Sequence, residues 1–116
     1  MLRSELGRAG EDAAATYLSA RGYTIVDRNV RYRDGEIDLI AARAGVLAFV
    51  EVKTRRSRAF GLPGEAVTFT KQRRIRSMAV RYLTEQRAHA RAVRFDVIEV
   101  VPDGRGFTVR HLEDAF

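Results

Sequence analysis

The 116-residue sequence predicts an α/β domain with a mixed central β-sheet flanked by helices, in the order α-β-β-β-α-β-β. Two segments repeat apolar residues at three- and four-residue spacing. Several others are rich in Tyr, Thr, Ile, Val and Phe, and Gly- or Pro-bearing breaks separate them. No internal repeat, low-complexity tract or linker divides the chain, so residues 1–116 read as one domain.

The first helix is expected over about 3–21. Leu6, Gly10, Ala13, Ala14, Tyr17 and Leu18 form its apolar stripe, and Gly22 supplies the C-terminal cap. Asp12 points away from the stripe. Glu11 sits at its rim, either as an ordinary boundary residue or looking into a cleft. A strand over 23–32 follows, then a hairpin over 35–43 and 46–54. Residues 55–64 are a basic Gly/Pro loop. The second helix, about 70–86, turns Ile75, Met78, Ala79, Tyr82 and Leu83 inward and leaves Arg73, Arg74 and Arg81 outside. Strands over 92–101 and 106–112 close the chain, the last at a sheet edge, with Asp103-Gly104 in the turn between them.

Composition narrows the function classes. A hydrophobic fraction of 46% and a charged fraction of 31% are those of a soluble globular protein. No apolar run approaches the roughly 20 residues of a membrane span, and the N-terminus lacks the apolar centre of a signal peptide. There is no cysteine, hence no disulfide framework and no thiolate metal site. A cytoplasmic location without membrane contact is the expectation. The net charge of +6 points to a polyanionic partner, in the first place nucleic acid. Of the 21 basic residues only Lys53 and Lys71 are lysines. Under such a bias toward arginine, a retained lysine suggests a site that needs an ammonium.

The hairpin carries the chemistry. A two-residue turn at Ala44-Gly45, or a four-residue loop of the same register, places Leu39 opposite Val50, Ala41 opposite Ala48 and Ile37 opposite Val52. On the other face Ile40 meets Phe49 and Ala42 meets Leu47. The same register sets Asp38 opposite Glu51 and Glu36 opposite Lys53, gathering four charges at the open end. Directly opposed carboxylates repel, and a divalent cation between them would remove the repulsion. All-oxygen ligands favour Mg²⁺ or Mn²⁺. The alternative is a salt-bridge lattice built on Glu36–Lys53, with Asp38 and Glu51 half exposed.

Asp38 followed on the next strand by Glu51-Val52-Lys53 resembles the active-site pattern of the PD-(D/E)XK nuclease superfamily. The segments GRAGEDAAATYLSARGY, RNVRYRDGEIDLIA, FVEVKTRR, FGLPGEAV, RFDVI and HLEDAF, in this order, resemble the YraN family of small bacterial proteins over nearly the whole chain. The resemblance implies a restriction-endonuclease-like fold, compared with Holliday-junction resolvases. It implies Asp38 and Glu51 as metal ligands, joined by the carbonyl of Val52 and by Glu11, which matches a helix-borne acid of resolvase-like nucleases. Lys53 would orient the attacking water or stabilise the phosphate. Glu36 has no clear role in the superfamily pattern and is expected behind the ligands. The superfamily's leading proline is absent, and Ile37 occupies its place.

The expected activity is metal-dependent hydrolysis of DNA phosphodiesters, selective for branched or junction structure. Arg55, Arg56, Arg58, Lys71, Arg73 and Arg74 would hold the nucleic-acid backbone without reading sequence. Symmetric junction resolution would require a homodimer. Two rival readings are a non-catalytic nucleic-acid-binding protein on the same fold and a protein that docks an acidic partner through its arginines. Asp96 is expected to pair with a nearby arginine, and His89 and His111 to lie at the surface.

Overall fold

Among the described residues seven elements follow one another in the expected order: α1 (Arg3–Ala20), β1 (Thr24–Tyr32), β2 (Gly35–Arg43), β3 (Val46–Thr54), α2 (Phe69–Glu85), β4 (Ala92–Asp103) and β5 (Gly106–Leu112). The structure, a computed structural model, describes residues 3–56 and 67–116. Most of the expected basic loop, including Arg58, lies outside the described residues.

The five strands form one sheet in the order β1-β2-β3-β4-β5. Only β3 and β4 run parallel; the other neighbours are antiparallel. A parallel pair needs a crossover, and α2 lies within it. Ala48 and Val50 pack with Ala14 and Leu18 of α1. Leu47 and Phe49, which alternate with them, pack with Ile75, Met78 and Tyr82 of α2. Since successive strand side chains point to opposite faces, the two helices cover opposite faces of the sheet. Both faces of β3 are therefore buried near its start, which explains the nearly unbroken apolar run Val46–Val50. On the α2 side Phe49 stacks against Phe95 and meets Tyr82 edge-on.

The helix ends follow from local chemistry. Gly22 takes φ 86°, and Tyr23 N–H bonds back to the Leu18 carbonyl, closing α1 in a Schellman arrangement. Thr68 caps α2 by accepting the amide of Lys71 at 3.2 Å. In the last hairpin Asp103 pairs with Gly106, so the turn is Gly104-Arg105 rather than Asp103-Gly104. Among the described residues no helix is long and apolar enough to cross a membrane.

The central hairpin has the expected register over five pairs, from Arg43 opposite Val46 to Leu39 opposite Val50. Ala44 and Gly45 take φ 51° and 78°, the left-handed pair of a two-residue turn. Beyond Leu39 the ladder stops. Asp38 is not paired with Glu51, nor Glu36 with Lys53, nor Ile37 with Val52. The alternation of faces also breaks there: Leu39 joins the α1-side core, whereas Ile37 joins Ile40 in the α2-side core. Neighbouring β1 is irregular as well, with a register shift between Ile25 and Asp27 and a positive φ of 50° at Asn29.

Candidate functional site

The charged end of the hairpin opens where β2 and β3 part. Asp38 turns its carboxylate toward β3, and its Oδ2 accepts the Val52 amide at 2.8 Å. A side chain has taken the place of a ladder bond. Gly10 brings α1 close to the same strand: a Cβ built on it would lie 1.9 Å from Thr54 Oγ1. The next residue, Glu11, is thereby carried to Asp38. Glu11, Glu36 and Asp38 each place a carboxylate oxygen so that all lie within 4.8 Å of one another.

Asn29 orients two of these acids. Its Nδ2 donates to Glu11 Oε1 at 2.7 Å and to Glu36 Oε1 at 2.6 Å. Asparagine tolerates the left-handed backbone that this position requires. Arg31 Nε also approaches Glu36, at 3.4 Å, and Arg28 ties β1 to Asp12 of α1 at 2.6 Å. Asn29 escaped the sequence reading. The signal was a lone asparagine inside an otherwise regular strand pattern.

Glu36 is therefore in the acidic group itself, not behind it, and Glu51 is turned elsewhere. Glu51 is only 5% exposed. Its Oε1 lies 2.5 Å from Lys71 Nζ and 3.5 Å from Lys53 Nζ. The acids expected to share a face thus engage different helices, Asp38 the α1 side through Glu11 and Glu51 the α2 side through Lys71. They remain coupled through space. Burial, then the negative charge of Glu51, pushes the Asp38 carboxyl up to about 8; the Val52 amide opposes the rise, and Glu11 and Glu36 add to it. Lys53 is lowered by burial and by its neighbour Lys71, against the pull of Glu51. Burial would lower Lys71 too, but its hydrogen bonds in the cluster and the charge of Glu51 outweigh it, and it is raised.

The donor set is chemically definite. Three carboxylates converge without sulfur or imidazole. Oxygen donors of this kind are the ones that hard divalent cations take. Glu11, Glu36 and Asp38 therefore fit Mg²⁺ or Mn²⁺.

The basic residues divide. Arg55 Nε bonds Glu99 Oε2 at 2.9 Å, with the guanidinium 18% and the carboxylate 8% exposed. The pair ties the end of β3 to β4, so part of the Arg55 guanidinium is engaged inside the fold. Lys71 meets Glu51 but keeps part of its side chain exposed. Arg73 and Arg74 are exposed and line a recess of about 310 Å³ with Asp34, Thr70 and Ser77. Arg56 is exposed, just before the undescribed segment.

Away from the site, Asp96 is wholly buried and receives Arg94 through two bonds of 2.9 Å and the Asp114 amide at 3.0 Å. His111 Nε2 lies 2.7 Å from the same carboxylate, and its other nitrogen faces Tyr17. Burial would raise the Asp96 carboxyl, but these partners outweigh it and hold it low. His111 is therefore an interior residue, contrary to expectation, while His89 is exposed as expected.

Comparison with other proteins covers almost the full length. The chain is 56% identical over 113 residues to a UPF0102 protein of Symbiobacterium thermophilum, covering 96% of this chain and 95% of that one. It is 54% identical over 112 residues to a UPF0102 protein of Rhodococcus opacus, with 96% and 95% covered. A UPF0102 protein of Dictyoglomus turgidum is 40% identical over 118 residues, with both chains wholly covered. The family's profile matches residues 10–100, a span that includes Glu11, Asn29, Glu36, Asp38, Glu51, Lys53 and Lys71. By this match and these identities the chain belongs to the uncharacterised protein family UPF0102.

Proposed function

We propose that the chain is a divalent-metal-dependent nuclease that hydrolyses DNA phosphodiesters, with a preference for branched or junction structure. The observation that carries this reading is the convergence of Glu11, Glu36 and Asp38 within 4.8 Å, with Lys53 meeting Glu51, the acid whose charge acts on Asp38. Clustered acids with a strongly raised carboxyl are costly to keep together, and a functional cation explains their retention.

Glu11, Glu36 and Asp38 would hold Mg²⁺ or Mn²⁺. Bound there, the ion would polarise a phosphoryl oxygen and acidify a coordinated water. Asn29 keeps Glu11 and Glu36 turned inward. Lys53 presents a compact ammonium to the developing phosphate charge and fixes the water that attacks phosphorus. Hydrolysis breaks one P–O ester bond, and the departing oxygen leaves as a hydroxyl after taking a proton from solvent. Arg73 and Arg74 hold the backbone beside the site without reading bases. Paired incisions across a junction would take two copies of the chain, which sedimentation with and without junction DNA tests.

The decisive experiment incubates the purified chain with branched and linear DNAs in Mg²⁺ or Mn²⁺. The parent is expected to cleave, and Asp38→Asn to bind the same DNA without cleaving it. A parent that binds DNA but leaves every substrate intact in both metals would overturn the nuclease reading in favour of a non-catalytic binding protein.

A further inference from the structure

Only two of the 21 basic residues are lysines, and both meet the same oxygen of one carboxylate. Lys71 is the closer, 2.5 Å from Glu51 Oε1. Its position is unfavourable for its own helix. It lies in the first turn of α2, where the macrodipole disfavours a cation, and that turn contains no acidic residue. The compensation comes from outside the helix. Glu51 is almost completely buried and requires a cationic partner there.

The Lys71 side chain is nevertheless 38% exposed, on a four-carbon stem that can swing without moving α2. Beside it lies a recess of about 390 Å³, whose lining includes Glu36, Thr68, Thr70, Lys71 and Arg74. The recess joins the acidic group on one side to exposed arginine on the other.

On the metal-dependent reading above, we propose that Lys71 is a built-in counter-ion of the site. It neutralises Glu51 while the cation is absent and competes with the cation for that carboxylate. Once displaced, it turns into the recess beside Arg74 and takes a nucleic-acid phosphate. Glu51 is then free to face the cation as a further carboxylate. An ammonium suits this exchange because it is a compact charge with rotatable donors. A guanidinium would grip the carboxylate with two parallel bonds and release it less readily.

The test is calorimetric titration of the DNA-free chain with Mn²⁺, paired with melting of the metal-free protein. Lys71→Gln should tighten Mn²⁺ binding about tenfold, or about 1.4 kcal/mol, and lower the metal-free melting temperature. Arg74→Gln removes an equal charge from the same helix and should change Mn²⁺ affinity by less than about threefold, as screened surface charges do. Lys71→Arg should weaken binding. Unchanged or weaker Mn²⁺ binding in Lys71→Gln, with the melting temperature still lowered, would make Lys71 a purely structural partner and overturn the inference. Equal tightening in Arg74→Gln would reduce the effect to general charge and overturn it as well. If the parent takes up no Mn²⁺ that Asp38→Asn abolishes, the metal reading itself falls and this inference with it.

Discussion

Asp38 and Val52 are joined by a side-chain-to-amide bond of 2.8 Å, just past the last regular pair of the β2–β3 ladder. The bond holds a carboxylate in the parting between two strands, close to Glu11, Glu36 and Glu51. Such a carboxyl prefers its proton. Its pKa of about 8 lies far above the ordinary 3.8, with burial as the largest cause and Glu51 the next.

The folded chain therefore binds more protons at Asp38 than the unfolded chain between about pH 4 and pH 8. This contribution to stability is fully present below the ordinary pKa and is lost as pH rises through about 8. Metal-free parent should lose stability from pH 5 to 8.5 relative to Asp38→Asn, by an amount on the order of a few kcal/mol. The difference between the two proteins' chemical-denaturation curves isolates Asp38 from the other titrating groups. Saturating Mn²⁺ should remove most of the parent's slope. Parallel curves for the two proteins would mean that Asp38 is not strained by its neighbours.

Gly10→Ala should disturb both fold and site. The new Cβ would lie 1.9 Å from Thr54 Oγ1 and 2.9 Å from Thr54 Cβ. Rotating the threonine cannot relieve the contact with its Cβ, so α1 must lift and carry Glu11 away from Asp38. The expected loss is about 1–3 kcal/mol for overpacking, less about 1 kcal/mol of improved helix propensity. Mn²⁺ affinity should fall with it. Unchanged melting and unchanged Mn²⁺ titration would show that α1 is not held by this contact.

The turn offers a control remote from the acidic group. Ala44 occupies a left-handed conformation with φ 51°, which alanine resists and asparagine or glycine accepts. Ala44→Asn should stabilise the chain by about 0.5–1 kcal/mol. Cleavage and Mn²⁺ affinity should not change. Destabilisation on urea titration would mean that the alanine methyl makes a contact outweighing the backbone strain.

What the sequence revealed and what it concealed have physical causes. The β2–β3 register could be read because Leu39, Ile40, Ala41 and Ala42 must all keep their faces, and a shift of one residue exposes them. It failed at Asp38, where strand alternation gives way and a polar side chain replaces a ladder bond. The lysine count pointed to Lys53 and Lys71 before any geometry was known, but their meeting at Glu51 depends on how α2 is rotated over the sheet. Glu99 could not be assigned to Arg55, nor His111 to Asp96, since those contacts follow from the β3–β4 and β4–β5 pairings. Parallel register is set by a crossover and leaves no local sequence mark.

The arginines that looked alike in sequence should separate in experiment. Arg55 closes a largely buried pair with Glu99, 2.9 Å apart. Arg55→Ala strands that carboxylate and should lower stability by about 2–3 kcal/mol, below the ~3–5 kcal/mol of a fully buried pair because some solvent reaches it. Arg73 and Arg74 are exposed beside the recess and make little contribution to folding. Replacing both with alanine should leave melting within about 0.5 kcal/mol of the parent. It should weaken DNA binding about equally across sequences and flatten the salt dependence by about one unit of slope for each phosphate contact removed. Arg55→Ala, assayed below its lowered melting point, should keep the parental salt slope. The reverse pattern, with the slope lost in Arg55→Ala and kept in the Arg73/Arg74 double variant, would place the nucleic acid along the end of β3 instead of along α2.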